Sequence, residues 1–159
     1  MAHDAPRGSI PIGCIRAVGT ARVSVATRLD TRHGLVVHLV RGRVTLGHLV
    51  TAREESLELG IAEIVLWNLL EGDLAGLSLE ELSTFAEQLV TGPGAPRRCA
   101  IVCRPGASLA AAVLAGCLAD DYGAAGSVAA FETSDDALEW LGISERPTTP
   151  VPSRPVRAR

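Results

Sequence analysis

Four histidines, four cysteines, two adjacent acidic pairs and one well-placed serine are the side chains of this 159-residue sequence best suited to chemistry. Histidine titrates near neutral pH and ligates metals. His3 falls in the N-terminal stretch, His33 in a turn, His38 mid-strand and His48 near the start of a helix. No His-x-x-x-His or His-Glu spacing joins them into a metal site. His38 and His48 can approach if their helix packs back on the sheet, although unrelated positions are the simpler expectation. Cys99 and Cys103 lie four apart on a predicted strand, which separates them by roughly 13 Å on one face. That is too far for a disulfide and poor geometry for a single metal ion. With Cys14 and Cys117, they are expected to be buried free thiols acting as small hydrophobes.

The acidic pairs are explained by helix ends. Asp120-Asp121 closes an alanine-rich segment and supplies too few ligands for a divalent cation. Asp135-Asp136 falls in the first turn of the last helix, where the dipole favours negative charge. Thr133 or Ser134 completes that cap. Pro105-Gly106-Ala107-Ser108 stands before a helix, as a phosphate-binding turn does, but lacks the glycine spacing and the lysine. Indeed all fifteen basic residues are arginine. This excludes a Schiff-base lysine, a Walker-type phosphate lysine and the lysine that a response-regulator receiver normally uses. No catalytic residue, metal site or cofactor is expected, and an enzyme is the least favoured class.

Positioning these residues falls to alternating strands and helices. Val23 to Asp30 and Leu35 to Val44 read as an antiparallel hairpin around Thr31-Arg32-His33-Gly34. Thr45 caps a helix over about Leu46 to Leu59, with Leu46, Leu49, Val50, Arg53 and Leu57 on its inward stripe. Gly60 ends it. Glu63 to Leu69 is a third strand, followed by a loop over Leu70 to Leu77. Ser78-Leu79-Glu80-Glu81 is a capping box, opening a helix to about Val90 with Leu79, Leu82, Phe85, Ala86 and Leu89 inward. Arg98 to Cys103 is a buried strand, Gly106 to Leu118 a helix, Ser127 to Phe131 a strand and Asp135 to Leu141 a closing helix. Successive strand–helix units joined by short links imply parallel pairing with right-handed crossovers. The expected fold is therefore α/β, ββαβαβαβα, a five-stranded mixed sheet with an antiparallel edge hairpin.

Residues 22–142 form this one domain, after an irregular lead-in over 1–21 and before a Pro/Arg-rich disordered tail over 143–159. Hydrophobic residues make up 47% of the chain and aromatics 3%, so the core is aliphatic. Residues 1–145 hold 11 Arg against 18 acids, a net of −7, and residues 146–159 hold 4 Arg and no acid, +4. An acidic body disfavours nucleic acid as the main partner. The longest apolar stretch, Ala107 to Ala119, is shorter than the roughly 20 residues of a membrane span. With no secretory signal visible near the start, the expected location is cytoplasmic.

Five stretches together resemble bacterial proteins of the SpoIIAA-like fold, the STAS/SEC14-type domains. They are Gly42-Arg43-Val44-Thr45, Ile64-Val65-Leu66-Trp67-Asn68-Leu69, Leu77-Ser78-Leu79-Glu80-Glu81-Leu82, Arg98-Cys99-Ala100-Ile101-Val102 and Asp136-Ala137-Leu138-Glu139-Trp140-Leu141. The resemblance spans about residues 23–142. It implies a regulatory or protein-interaction module, or, through its SEC14 side, a binder of a small apolar or lipid-like ligand. Proteins of this kind usually carry an aspartate, often followed by Leu-Arg, where this chain has Asn68-Leu69-Leu70. The sporulation antagonists among them carry a phosphorylated serine in an Asp-Ser-Ser-Gly-like motif after the third strand. Ser78 occupies the comparable position and is the candidate phosphorylation site, but its neighbours are Leu77 and Leu79. A simple helix cap explains the same serine.

The alanine-rich helix is apolar nearly all round. Leu109, Val113 and Cys117 form one stripe, and Ala110, Leu114 and Leu118 a second. Such a helix is deeply buried or faces a partner. The candidate interaction surface is therefore Gly76, Ser78 and Leu79 together with Leu109, Ala110, Val113, Leu114 and Leu118. Its occupant would be a protein partner, a second copy in a homodimer, or a small apolar ligand held beneath the helix.

Overall fold

The computed structural model describes residues 16–143 apart from 21 and 61, with 16–20 described as backbone only. The elements in chain order are β1 (Arg16–Thr20), β2 (Val23–Asp30), β3 (Leu35–Arg43), α1 (Leu46–Leu59), β4 (Ile64–Asp73), α2 (Leu79–Val90), β5 (Arg98–Cys103), α3 (Ala107–Asp121), β6 (Val128–Phe131) and α4 (Ser134–Leu141). The strands lie side by side in the order β1-β2-β3-β4-β5-β6. β1–β2 and β2–β3 are antiparallel; β3–β4, β4–β5 and β5–β6 are parallel. The five expected strands and the mixed α/β arrangement are present.

Two segments differ from expectation. Residues 16–20, assigned to an irregular lead-in, form a sixth strand beyond the hairpin. Residues 70–73, assigned to a loop, extend β4. Gly72 reads as a turn signal, yet it serves close packing: a Cβ there would lie 2.9 Å from Val40 Cγ1. The pairing also slips between Leu39 and Arg41, so that Arg41 lies opposite Glu71. Asn68 Oδ1 accepts the Leu70 N–H (3.1 Å) inside that irregularity. Beyond it, Arg41–Glu71 (2.7 Å) and Arg43–Asp73 (3.4 Å) pair across the strands.

Strand alternation divides the core in two. Val25, Val40, Trp67, Leu69, Cys99, Ile101 and Cys103 pack against Leu49 and Ala52 of α1, Phe85, Ala86 and Leu89 of α2, and Ala112, Ala115 and Ala119 of α3. On the opposite face Leu35, Ile64, Leu66, Ala100 and Val102 pack with Ala137 and Leu141 of α4 and Ile143, flanked by the partly buried Leu138 and Trp140. Among the described residues, three helices thus cover one face and a two-turn helix the other. Trp140 fastens that helix down: its ring lies 5.5 Å from the Phe131 ring, Arg98 sits 5.2 Å over it, and Arg98 Nη1 donates to its carbonyl.

The caps match their sequence signals. Thr45 and Ser78 each close a capping box, with His48 as the reciprocal partner of Thr45. Thr133 caps α4. The inward stripe of α1 is rotated from expectation: Leu49, Ala52 and Ser56 are buried, whereas Leu57 is 38% exposed. Arg53, on the expected stripe, reaches the Gln88 and Thr91 carbonyls at the end of α2. Leu79, expected inward, lies outward at the first turn of α2.

Two positive-φ glycines of the hairpin separate backbone conformation from crowding. Gly34 (φ 62°) turns into open space, whereas a Cβ on Gly42 (φ 77°) would collide with the Arg22 carbonyl. Gly34→Ala is expected to cost about 1 kcal/mol from the left-handed backbone alone. Gly42→Ala is expected to cost about 2–4 kcal/mol, because overpacking adds to that penalty. Urea unfolding of the two variants measures the difference.

Candidate functional site

The interaction residues expected from sequence lie on the three-helix side. α2 and α3 pack as neighbours, and Ser83 Oγ and Tyr122 OH lie 2.8 Å apart across them. The Leu74 N–H donates to Ser108 Oγ (3.1 Å), tying the segment before α2 to the start of α3. Gly76, Ser78 and Leu79 are exposed in that segment. Ser78 Oγ accepts the Glu81 N–H (3.1 Å) and Glu81 Oε2 accepts the Ser78 N–H (2.8 Å). The hydroxyl therefore belongs to the cap while remaining at the surface.

On α3, small and large side chains are segregated. Ala112, Ala115, Gly116 and Ala119 are buried, and a Cβ on Gly116 would lie only 3.2 Å from the Val128 carbonyl oxygen. The helix backbone therefore rests close on β6. Its larger apolar groups are displaced outward: Val113 is 51% and Leu114 38% exposed, while Leu109 and Leu118 are half-buried at the flanks. Ala110 and Cys117 are exposed beside them, so residues 110, 113, 114 and 117 mark one outer helix face. Cys117 was expected to be buried, and its place on that face corrects the expectation.

The remaining thiols are interior. Cys99 and Cys103 are buried and free. Burial pushes the Cys99 thiol up to about 12, and it also raises Cys103. Cys14 lies outside the described residues. Native alkylation followed by mass spectrometry is expected to label Cys117 and spare Cys99 and Cys103 until the protein unfolds.

A second group of polar residues sits inside the protein. The strand pairings place Thr27 beside His38 and His38 beside Trp67, one row across β2, β3 and β4. All three are buried. Thr27 Oγ1 and His38 Nδ1 share a hydrogen bond of 2.8 Å. The imidazole stacks on the indole with centroids 3.8 Å apart and planes at 22°, and Phe85 meets the other ring edge-on at 5.4 Å. His48 lies elsewhere, on the α1 cap at 3.0 Å from Thr45 Oγ1; the two histidines do not form a pair.

Beside this row, a cavity of about 20 Å³ is lined by His38, Trp67, Arg53 and Ser56 together with apolar residues and Gly60, Gly94 and Pro96. Arg53 is half-buried, and burial lowers its pKa. Trp67 Nε1 is buried with no hydrogen-bond partner. An orphaned buried donor of this kind costs about 1–3 kcal/mol. The cluster is not among the residues expected from sequence, although it leaves a signal there. Thr27 and His38 interrupt alternations whose neighbouring inward positions are Val25 and Leu29, and Val36 and Val40. A larger groove of about 350 Å³ lies on the other face, along Leu39, Arg41, Asn68, Leu70, Glu71 and Arg104. Neither space is lined by α3. No group of three or more metal-ligating side chains occurs among the described residues. No helix among them is long and apolar enough to cross a membrane.

The mixed sheet, with its antiparallel hairpin and crossover helices, defines an α/β domain of the expected class. The chain matches no family model and no curated protein. Among solved structures it is similar to an uncharacterized protein from the DUF3478 family with a SpoIIAA-like fold, from Shewanella loihica PV-4. The two share 21% identity over 84% of this chain and 98% of the other, with a TM-score of 0.44.

Burial, followed by the nearby Arg53 charge, pushes the His38 imidazole down to about 3 from its ordinary 6.5. The unfolded chain therefore takes up a proton near pH 6.5 that the folded chain refuses. Stability conferred by the neutral ring is complete above pH 6.5 and falls as pH drops toward 3, by up to about 1.4 kcal/mol per pH unit. Between pH 6.5 and 5, the wild-type chain is expected to lose about 1.5–2 kcal/mol more than His38→Phe, measured by denaturant unfolding across pH.

Proposed function

We propose that this chain is a non-catalytic regulatory or protein-interaction module, cytoplasmic in location. It acts through the outer face of α3 and the adjoining N-terminus of α2. One observation carries the reading: the small side chains of α3 face the sheet, so Val113 and Leu114 stand in solvent at 51% and 38% exposure on one helix face. Leu79, 63% exposed at the start of the neighbouring helix, enlarges the apolar surface. Such grouping of large apolar side chains is what a protein partner covers. A second copy of the chain is the partner this reading favours first. The acidic body of residues 1–145 supports a protein rather than a nucleic acid in that role.

The alternative of a small apolar or lipid-like ligand depends on space beneath α3. Ala112, Ala115 and Gly116 instead bring the helix down onto the sheet, so the small side chains serve close approach. Ser78 remains the residue of this surface at which added charge would act most directly, given its exposure at the α2 cap.

Static light scattering over a wide concentration range tests the proposal. The wild-type mass is expected to rise toward that of a dimer. The Val113→Glu, Leu114→Glu double variant is expected to stay monomeric at an unchanged unfolding temperature, its dissociation constant raised at least about tenfold. A wild-type chain that stays strictly monomeric, or a double variant that associates equally well, contradicts self-association through α3.

A further inference from the structure

We propose that two copies of the chain join through α3 as an antiparallel, two-fold symmetric helix pair, latched at each end by Asp121 of one copy on the α3 N-terminus of the other. The proposal rests on the self-association proposed above and adds its geometry and its charge control. An isologous contact presents one patch to itself, so that where residue i meets residue j, j also meets i. The outer face of α3 has that property. Ala110 and Cys117 stand equally far from the midpoint between Val113 and Leu114, and all four are exposed. A two-fold axis through that midpoint sets Val113 against Leu114 at the centre and Ala110 against Cys117 on either side. Large side chains then pack at the middle of the contact, and small ones beside it let the two helices come close.

Charge selects the antiparallel sense. Asp121 lies on the same helix face, one turn beyond Cys117. It is exposed, and its carboxylate has no hydrogen bond or ion pair among the described residues; that of Asp120 instead accepts the Gly126 N–H (3.0 Å). A carboxylate at the C-terminal end of its own helix is unfavourably placed. The other end of α3 has the complementary deficit. Its Gly106 cap supplies no side-chain hydrogen bond, and its first turn holds no acid, whereas α1, α2 and α4 are each capped by a side chain. Arg104, exposed just before that end, has no ion-pair partner among the described residues.

Antiparallel pairing about the same axis brings Asp121 to the Gly106 end of the other copy's helix, twice per dimer. There the first backbone N–H groups, the helix dipole and Arg104 all favour an anion. A parallel pair would instead set Asp121 beside Asp121 and align the two dipoles.

Disulfide trapping reads the arrangement. In a Cys14→Ser background, Ala110→Cys treated with oxidised glutathione is expected to give a covalent dimer, with mass spectrometry placing the bond between the introduced thiol and Cys117 of the other copy. Each bond forms as two thiols give two protons and two electrons to the glutathione disulfide, which leaves as two thiols. Within one chain the two positions lie about 10 Å apart along the helix, too far to bond. Cys117 and its symmetry mate are separated by a like distance, so the background without Ala110→Cys is expected to stay uncross-linked. By light scattering, Asp121→Arg is expected to raise the dissociation constant at least about fivefold, and adding Ala107→Glu to restore it to within about twofold of the wild type. Positions 107 and 121 lie at opposite ends of one helix, so this rescue acts only between copies. A dimer trapped through Cys117 alone, not trapped by Ala110→Cys, or indifferent to Asp121→Arg overturns the antiparallel pair while leaving self-association through α3 standing. A chain that is monomeric at every concentration overturns both.

Discussion

The buried row Thr27–His38–Trp67 is the constraint around which the sheet is organised. It crosses three strands in register and places the largest buried side chain of the described residues at the sheet centre. Polar groups at such a depth are tolerated only when they are hydrogen-bonded or neutral. Thr27 satisfies His38, and the stacked indole requires the imidazole to stay flat between strand and helices. Phe85 then meets Trp67 edge-on, which fixes where α2 lies on the sheet. Arg53 links α1 to the end of α2 over the same site.

From that centre the two faces diverge. The face with Trp67 is sealed by three helices, and α3 achieves close approach through alanine and glycine. A helix so seated must direct its bulkier residues away from the sheet. Fold and proposed surface are therefore linked: the residues that make α3 fit also leave Val113 and Leu114 in solvent. On the opposite face the described residues place α4, fastened by Trp140 against Phe131 and Arg98. The groove along Leu39, Asn68 and Arg104 lies on this side.

Much of this architecture was legible in the sequence because its signals are local. Thr45, Ser78 and Thr133 start helices by satisfying their own backbone N–H groups, so α1, α2 and α4 begin where the caps stand. The extension of β4 was not legible, since Gly72 and Asp73 carry turn chemistry and only the approach to Val40 shows what the glycine is for. β1 was missed because Arg16 to Thr20 is short and contains a glycine, and its pairing with β2 is a backbone fact. The orientation of α1 was not legible from its leucines, because the small Ala52 and Ser56 carry no apolar signal as strong as Leu57 yet are the residues that are buried. At the candidate site, the exposure of Val113 follows from the apolar girdle of α3, whereas the exposure of Leu79 and Cys117 runs against the helical stripes that point them inward. The His38 row depends on strand register, which no single segment reveals.

The account rests most directly on His38 being a neutral ring enclosed at the sheet centre. ¹⁵N NMR of the imidazole nitrogens, followed from pH 8 to pH 5 in the folded protein, tests this without any variant. Imidazole shifts that remain those of a neutral ring down to pH 5 are the predicted result. A His38 titration to imidazolium with a midpoint near 6.5, the ordinary value for an exposed ring, would contradict the account.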